Sequence, residues 1–479
     1  MTQRVFISTA IPYVNGEPHI GHSLEYVQTD VMARYYRAQY GEAHVFALTG
    51  TDENALKNVL AAEAAGQETM TYVDEKTAAF HDLYQTLDLS FDDFIRTTEA
   101  RHIAGAQKLW TLFKPEDIYQ DTYRGLYCVG CEEFKTEKDL DAAGFCPEHK
   151  RKPEIVEEQN YFFKLSNYQQ AIEQLITTNT LKIVPEKRKN EVLGFVREGL
   201  KDFSISRSRA RARNWGVPIP NDPDQVMYVW VDALSNYITA LDFATDGTRY
   251  QEFWQNKEVE RIHVIGKGIV KFHALYWVGM LLSAGLPLPT TEFVHGYVTV
   301  EGNKIGKSLG NAIHPMKVVA KYGVDAFRYY LLKEIPAYGD GDFSWERMHE
   351  IYTADLQNGL GNLVARVAAM TGAQDSRFKI QDLRMSERVV QALEQFKFDE
   401  ALEFIWSEVR RANQLISEKR VWELPPEEKV VALRDLVQLI RTVATDLGPL
   451  LPMTSAKILA QYGAATIQKE PALFPRIES

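Results

Sequence analysis

The stretch RVFISTAIPYVNGEPHIGH, Arg4 to His22, sets an apolar run before a Pro- and Gly-containing loop and ends in two histidines that bracket Ile20 and Gly21. From Arg4 to Thr9 it reads as a buried strand. A helix beginning near His19 follows, because Leu24, Val27, Val31 and Tyr35 recur at helical spacing and Gly41 stops the pattern. The run HVFALTGTDE is then a second strand that ends in a polar loop. Strand, helix, strand in this order implies a parallel α/β sheet, in which ligands bind beyond the carboxyl ends of the strands. The segment from Ile11 to His22 and the segment from Thr49 to Asp52 both fall there. A helix N-terminus carries unpaired amides and a partial positive charge, so imidazoles placed on it add donors toward an anion such as phosphate. For four residues alone, a turn cap at His19 and local packing of His22 is the plainer alternative.

The strand and helix pattern breaks between about Pro115 and Asp224, then resumes in YVWVDALSNYI and RIHVIGKGIVKFHALYW. One sheet split by an insertion accounts for this. The expected division is residues 1–114 and 226–300 for the two halves of the sheet domain, 115–225 for the insertion, 301–343 for a loop and linker, and 344–479 for an α-helical bundle.

Composition narrows the function classes. The chain has 479 residues, of which 45% are hydrophobic, ample for large cores. No apolar run approaches the roughly 18 residues of a membrane span, and MTQRVFISTA enters a strand without a leader, so a cytoplasmic protein is expected. A net charge of -11 argues against bulk attraction to nucleic acid. The stretch from Glu186 to Arg213 departs from that balance, with lysines and arginines outnumbering acids roughly two to one. Such a run is usually a solvated face; Arg209 and Arg211 could also follow a nucleic-acid backbone.

All three cysteines lie between Tyr127 and His149. Cys128-x-x-Cys131 followed by Cys146-x-x-His149 supplies three thiolates and one imidazole in two turns, a donor set suited to one closed, structural, tetrahedral Zn2+. A second loop, EGNKIGKSLGN, puts Lys304 and Lys307 around a Gly-containing turn after FVHGYVTV, able to close over a polyphosphate. Alone it would read as a solvated basic turn.

Together, HIGH (His19 to His22) and KIGKS (Lys304 to Ser308), on a split α/β fold with a helical C-terminal region, resemble the class I aminoacyl-tRNA synthetases. AIPYVNGEPHIGH, TGTDE, YCVGC with FCPEH, YVWVDALSNY, VKFHALYW, FVHGYVTV, KIGKSLGN and NGLGNLVAR resemble the methionyl branch over nearly the whole chain. The resemblance implies a Rossmann-like catalytic domain split by a zinc-knuckle connective domain, followed by an anticodon-binding bundle. It implies activation of methionine by ATP with Mg2+, then transfer to the 3′ end of tRNA(Met) with release of AMP and pyrophosphate. His19, His22, Lys304 and Lys307 would be catalytic, with Gly21 and Ser308 joining them around ATP. Ile11, Pro12, Tyr13, Trp230, Ala233, Tyr237 and His273 match positions that enclose methionine, and Asp52 matches the receiver of its amino group. Trp230, Ala233 and Tyr237 share one helix face, and sulfur contacts aromatic rings favourably. Arg207 matches a further active-site position. Asn362, Arg366 and Trp422 match the surface that reads the anticodon, Trp422 offering a stacking plane.

The chain departs from the family pattern at Ile305 and Gly306 in the lysine loop, Asn54 and Ala55 after TDE, Gly268 in GKGIVKFH and Val421 before Trp422. Gly268 removes an acidic partner expected for Arg207. The chain ends after the bundle, so a monomer is expected. Two other readings stand beside the ligase. One is a paralogue that adenylates methionine or a similar acid for a non-tRNA acceptor; the other is a noncatalytic tRNA-binding protein. The intact histidines and lysines speak against the second, and Asn362, Arg366 and Trp422 against the first.

Overall fold

The computed structural model describes residues 3–130, 133–147, 150–305, 310–371, 383–464 and 466–477. By internal contacts the chain divides into two compact units. The first comprises residues 1–18, 40–82 and 91–294; the second comprises 19–39, 83–90 and 295–479.

The first unit is built on a six-stranded sheet. Its strands are β1 (Arg4–Thr9), β2 (Val45–Thr51), β3 (Asp93–Arg96), β4 (Lys182–Val184), β5 (Val259–Gly266) and β6 (Thr291–His295), in the spatial order β3-β2-β1-β5-β6-β4. β1 runs parallel to β2 and β5, β2 to β3, and β6 to β4. Every residue of β2 is buried, as a parallel strand covered on both faces requires, and this is why VFALTGT reads as a continuous apolar run rather than an alternating one. The edge strand β4 comes from inside the stretch 115–225, so the inserted chain returns to complete the sheet. Elsewhere in that stretch an antiparallel sheet orders Glu133–Lys135, Ile118–Cys128, Glu154–Phe163 and Phe203–Ser204.

The helix Ile20–Tyr40 belongs to the second unit, with Leu24, Val27, Val31 and Tyr35 buried as their spacing demands. A small sheet in this unit places Val298–Val300 between Asn303–Lys304, antiparallel, and Gly341–Phe343, parallel. Among the described residues from Trp345 to Gly463 the unit is mainly helical. Ser344 caps the first of these helices by accepting from the Arg347 amide at 3.1 Å. In Phe398–Glu418 the buried residues Phe398, Ala401, Leu402, Ile405, Trp406, Val409, Ala412 and Ile416 step by three and four, giving the bundle its apolar seam. Among the described residues no helix is long and apolar enough to cross a membrane.

Candidate active site

In the first unit the loops after β1 and β2 are joined. The Asp52 amide donates to the Pro12 carbonyl at 2.8 Å, and Tyr13 and Asp52 form an isolated parallel bridge. Asn58 Nδ2 donates to the Asp52 carbonyl at 3.0 Å, so the backbone of Asp52 is held at both ends. The next residue, Glu53, is fully buried and gathers donors from distant elements. Its Oε1 accepts from Thr51 Oγ1 at 2.8 Å, Thr77 Oγ1 at 2.6 Å and Arg96 Nε at 2.7 Å, and its Oε2 accepts from Thr98 Oγ1. Trp215 Nε1 donates to the Glu53 carbonyl at 2.9 Å. A buried carboxylate is tolerated only when so supplied, and here it fixes the loop that presents Asp52.

Trp230, Ala233 and Tyr237 are buried on the helix Val229–Thr239. The Trp230 ring stacks on Phe272 with centroids 3.8 Å apart and planes within 5°, and meets His273 edge-on at 6.5 Å. His273 Nδ1 lies 2.9 Å from the Ile269 carbonyl, which can only accept, so Nδ1 carries the proton and Nε2 accepts from the Tyr237 hydroxyl at 2.7 Å. Burial lowers the His273 pKa to about 4, so the imidazole is neutral at physiological pH. Tyr237 also packs on His263, centroids 4.0 Å apart, and His263 bonds Ser8 on β1 at 2.8 Å. The result is an aromatic, uncharged cluster in which Tyr237 and His273 bond each other while Trp230 Nε1 and His263 Nε2 are buried without a hydrogen-bond partner among the described residues, surroundings that an apolar side chain with a soft sulfur would favour. Ile11, Pro12 and Tyr13 are partly buried beside this core, and Lys57 lies over the Tyr13 ring at 3.6 Å while donating to the Gly130 carbonyl at 3.1 Å.

In the second unit the histidines bracket the start of the helix Ile20–Tyr40 and stack with centroids 3.8 Å apart. His22 Nδ1 accepts from the His19 amide at 3.1 Å, and His19 Nδ1 accepts from the Gly21 amide at 3.2 Å. Both Nδ1 atoms act as acceptors, so the neutral rings carry their protons on Nε2 and are donors there. Burial, with His19 adding to it, lowers the His22 pKa well below the usual imidazole value. A methyl group on Gly21 would lie 3.0 Å from the His19 ring and 4.0 Å from Ile305 Cδ1. The Ile20 amide donates to the Ile313 carbonyl at 3.2 Å. The helix start thus meets the chain after the lysine loop at Ile313 and faces Ile305 within it. Lys304 falls in the strand Asn303–Lys304, whereas its side chain, Gly306, Lys307 and Ser308 lie outside the described residues.

Cys128 ends the strand Ile118–Cys128, and Cys146 sits in a tight turn that accepts from the Lys150 amide at 2.8 Å; both thiols are buried. Cys131 and His149 lie outside the described residues, and among the described residues no group of three metal-binding side chains occurs. Two buried thiols at turns fit the chemistry of a thiolate site.

Arg207 is buried, with Nη2 donating to the Tyr127 hydroxyl at 2.5 Å and its guanidinium over the rings of Tyr127 and Tyr228. These aromatic contacts hold the Arg207 guanidinium in the absence of the acidic residue expected at Gly268. Among the described residues, four cations of the basic stretch are paired with acids, one within the stretch and three elsewhere in the chain. Arg188 pairs with Glu191, Arg197 with Glu173, Arg211 with Glu158 and Arg213 with Glu63, while Arg209 is exposed. In the bundle, Asn362 is exposed at the start of Asn362–Thr371, Arg366 is half-buried one turn on, and Trp422 is 46% exposed above the fully buried Val421.

The family profile described as tRNA synthetases class I (M) matches residues 5–152 and 148–368. The chain belongs to this family. Its relatives include the methionine--tRNA ligase of Synechocystis, 39% identical over 95% of this synthetase and 89% of that one. That of Fusobacterium nucleatum is 38% identical over 97% and 75% of the two chains. The synthetase also superposes on the Mycobacterium tuberculosis methionyl-tRNA synthetase in complex with methionyl-adenylate, at TM-score 0.90 and 35% identity over 99% of this chain and 100% of that one. Glu53, Lys57, Asn58, Phe272 and His263 surround the matched positions but were not singled out from sequence. Of these, Glu53 closes TGTDE, His263 lies in RIHVIGKGIVKFHALYW and Phe272 adjoins His273 in VKFHALYW, whereas Lys57 and Asn58 lie outside the quoted stretches.

Proposed function

We propose that this chain is a methionine--tRNA ligase. It activates methionine with ATP to methionyl-adenylate and transfers the methionyl group to the 3′ end of tRNA(Met), releasing pyrophosphate and then AMP. The observation that carries the reading is that the start of the helix Ile20–Tyr40 meets the lysine loop and the chain after it: the Ile20 amide bonds the Ile313 carbonyl, and a Cβ on Gly21 would reach Ile305 within KIGKS.

In this reading Ile11, Pro12, Tyr13, Trp230, Ala233, Tyr237 and His273 enclose the methionine side chain, and Asp52 receives its ammonium group. The neutral His273 and its internal bond to Tyr237 keep the enclosure free of charge, favouring a thioether over a charged competitor. The methionine carboxylate attacks the α-phosphorus, forming a mixed carboxylic–phosphoric anhydride with AMP as the bond from the α-phosphorus to pyrophosphate breaks. His19 and His22 donate from Nε2 toward phosphate oxygens. Gly21 gives the phosphates close backbone approach, and Lys304, Lys307 and Ser308 gather the charge that develops on the leaving group. Mg2+ bound with ATP offsets part of the triphosphate charge. Arg207 acts nearby as a cation held rigid by aromatic rings. Asn362, Arg366 and the exposed Trp422 ring contact the anticodon, the indole stacking on a base.

Cys128, Cys131, Cys146 and His149 would hold one Zn2+, a closed four-ligand set that would order the knuckle and leave no position for chemistry. The ligase works as a cytoplasmic monomer. ATP–pyrophosphate exchange across a panel of amino acids, followed by charging of defined tRNAs, tests the whole reading. Methionine-dependent exchange with charging of tRNA(Met) is expected. Exchange without charging would favour an adenylating paralogue, and absence of exchange would end the proposal.

A further inference from the structure

Glu25 follows His22 by one helical turn, and His295 lies at the end of β6, just before the strand Val298–Val300 whose hairpin leads to Lys304. The two side chains meet with His295 Nε2 2.9 Å from Glu25 Oε2, at side-chain exposures of 7% and 14%. His295 Nδ1 lies 2.8 Å from the Gly296 carbonyl. That carbonyl can only accept, so Nδ1 carries a proton and Nε2 is left to the carboxylate. Imidazolium with carboxylate, or imidazole with carboxylic acid, gives the same two hydrogen bonds, and either fixes the ring plane.

The chain beyond His295 has no slack to absorb a displaced ring. A side chain at Gly296 would place its Cβ 1.9 Å from the Gly339 carbonyl oxygen, so two backbones touch there. The Tyr297 amide donates to Asp340 Oδ1 at 2.8 Å and its carbonyl accepts from the Gly341 amide at 3.1 Å, which leads directly into the pairing of Val298–Val300 with Gly341–Phe343. On the far side of the lysine loop the Ile20 amide holds the Ile313 carbonyl.

We propose that Glu25 and His295 are positioning residues that set the reach of the KIGKS hairpin relative to the two histidines on the helix Ile20–Tyr40. The pair acts by fixing where the strand Val298–Val300 begins, and with it the start of the hairpin that runs to Asn303–Lys304. This rests on the ligase reading given above. Misplacing a catalytic group by about 1 Å can cost about a hundredfold in rate.

The test is ATP–pyrophosphate exchange by the full chain carrying Glu25→Ala, Glu25→Gln, Glu25→Asp or His295→Ala, with thermal melting of each. Glu25→Ala and His295→Ala are expected to lower kcat at least about tenfold while the methionine KM stays within about twofold. Glu25→Gln is expected to recover most of the rate, because its amide donates to Nε2 of a neutral His295 that still bonds Gly296. Glu25→Asp keeps the charge but withdraws it by one methylene, and is expected to fall between Ala and wild type. A kcat unchanged in Glu25→Ala and Glu25→Asp would overturn the proposal. So would melting points that fall without a change in kcat, or a methionine KM that rises as much as kcat drops. A wild-type chain without exchange would instead sink the ligase reading, and this proposal with it.

Discussion

Asp30 and Arg328 meet at 2.7 Å with both side chains fully buried. Asp30 belongs to the helix that begins beside the two histidines, and Arg328 to the helix Val324–Lys333, where its guanidinium also donates to the carbonyls of Leu450 at 2.9 Å and Pro449 at 3.1 Å. Asp30 Oδ1 accepts from the amide and hydroxyl of Ser90, both at 2.7 Å. The helix bearing the HIGH residues is therefore fastened to the C-terminal helical region through its middle, and segments far apart in sequence form one unit.

Burial opposes ionisation of Asp30, but Arg328, Arg34 and the Ser90 donors outweigh it and hold its pKa below the usual carboxylate value. A depressed carboxylate pKa adds stability that is present above the unfolded value of about 4 and is lost as pH falls through the folded value. Arg328→Met leaves a buried carboxylate unpaired and is expected to destabilise the protein by about 3–5 kcal/mol in urea unfolding at neutral pH. A loss within about 1 kcal/mol, the range of an exposed pair, would show that the contact is not buried in solution.

Gly21→Ala tests the arrangement of the histidines. The new methyl would press on His19 Cε1 and Nδ1 at 3.0 Å and weaken the bond from the Gly21 amide to that same nitrogen. Turning the ring re-aims its Nε2 donor. Exchange kcat is expected to drop about 10- to 100-fold with the methionine KM unchanged, since the methionine enclosure is built from other residues. A rise in methionine KM with kcat intact would contradict the assignment of His19 to phosphate.

What could be read without coordinates was what repeats or clusters locally. β1, the helix Ile20–Tyr40 and β2 announce themselves through periodic apolar residues, and the positions near both histidines follow from their place after a strand. β4 escaped because Lys-Ile-Val is too short to show a period, and it lies within a stretch that otherwise departs from the sheet pattern. Glu53 escaped because its partners Thr77, Arg96 and Trp215 are 24, 43 and 162 residues away, beyond any local motif. In the basic stretch the sequence shows the charges but not their partners. Its composition suggested a cationic strip, yet Arg211 and Arg213 are engaged by Glu158 and Glu63, acids supplied from elsewhere in the chain. Charge is legible in sequence; its neutralisation is a property of the fold.

The buried imidazoles predict how stability responds to acid. Desolvation sets the folded pKa of His273 at about 4, against 6.5 for an ordinary imidazole. The unfolded chain takes up a proton below pH 6.5 that the folded chain refuses until about pH 4, so stability falls across that window. The full loss from this one group is on the order of 3 kcal/mol. Urea midpoints between pH 7.5 and 4.5 are expected to fall less steeply for His273→Phe than for wild type. Parallel curves would mean that His273 is solvated. Tyr237→Phe removes the donor to His273 Nε2, and is expected to cost about 1–3 kcal/mol at pH 7.5.

Lys57 joins the turn between Cys128 and Cys131 to the ring of Tyr13, a residue proposed to enclose methionine. Its ammonium sits 3.6 Å above the Tyr13 ring and donates to the carbonyl of Gly130, between Cys128 and Cys131. A cation over an aromatic face contributes about 0.5–2 kcal/mol and holds the ring in one plane. Lys57→Met keeps the length of the side chain but removes both the charge and the donor, so Tyr13 loses its support on that side. The methionine KM is expected to rise about 3- to 30-fold with the ATP KM unchanged, and Lys57→Arg to restore part of it because a guanidinium also stacks on an aromatic ring. Amino-acid-dependent exchange at saturating ATP, measured beside Tyr13→Ala, decides the matter. If Tyr13→Ala raises the methionine KM and Lys57→Met does not, the ring is held by its own packing and the knuckle has no purchase on the substrate.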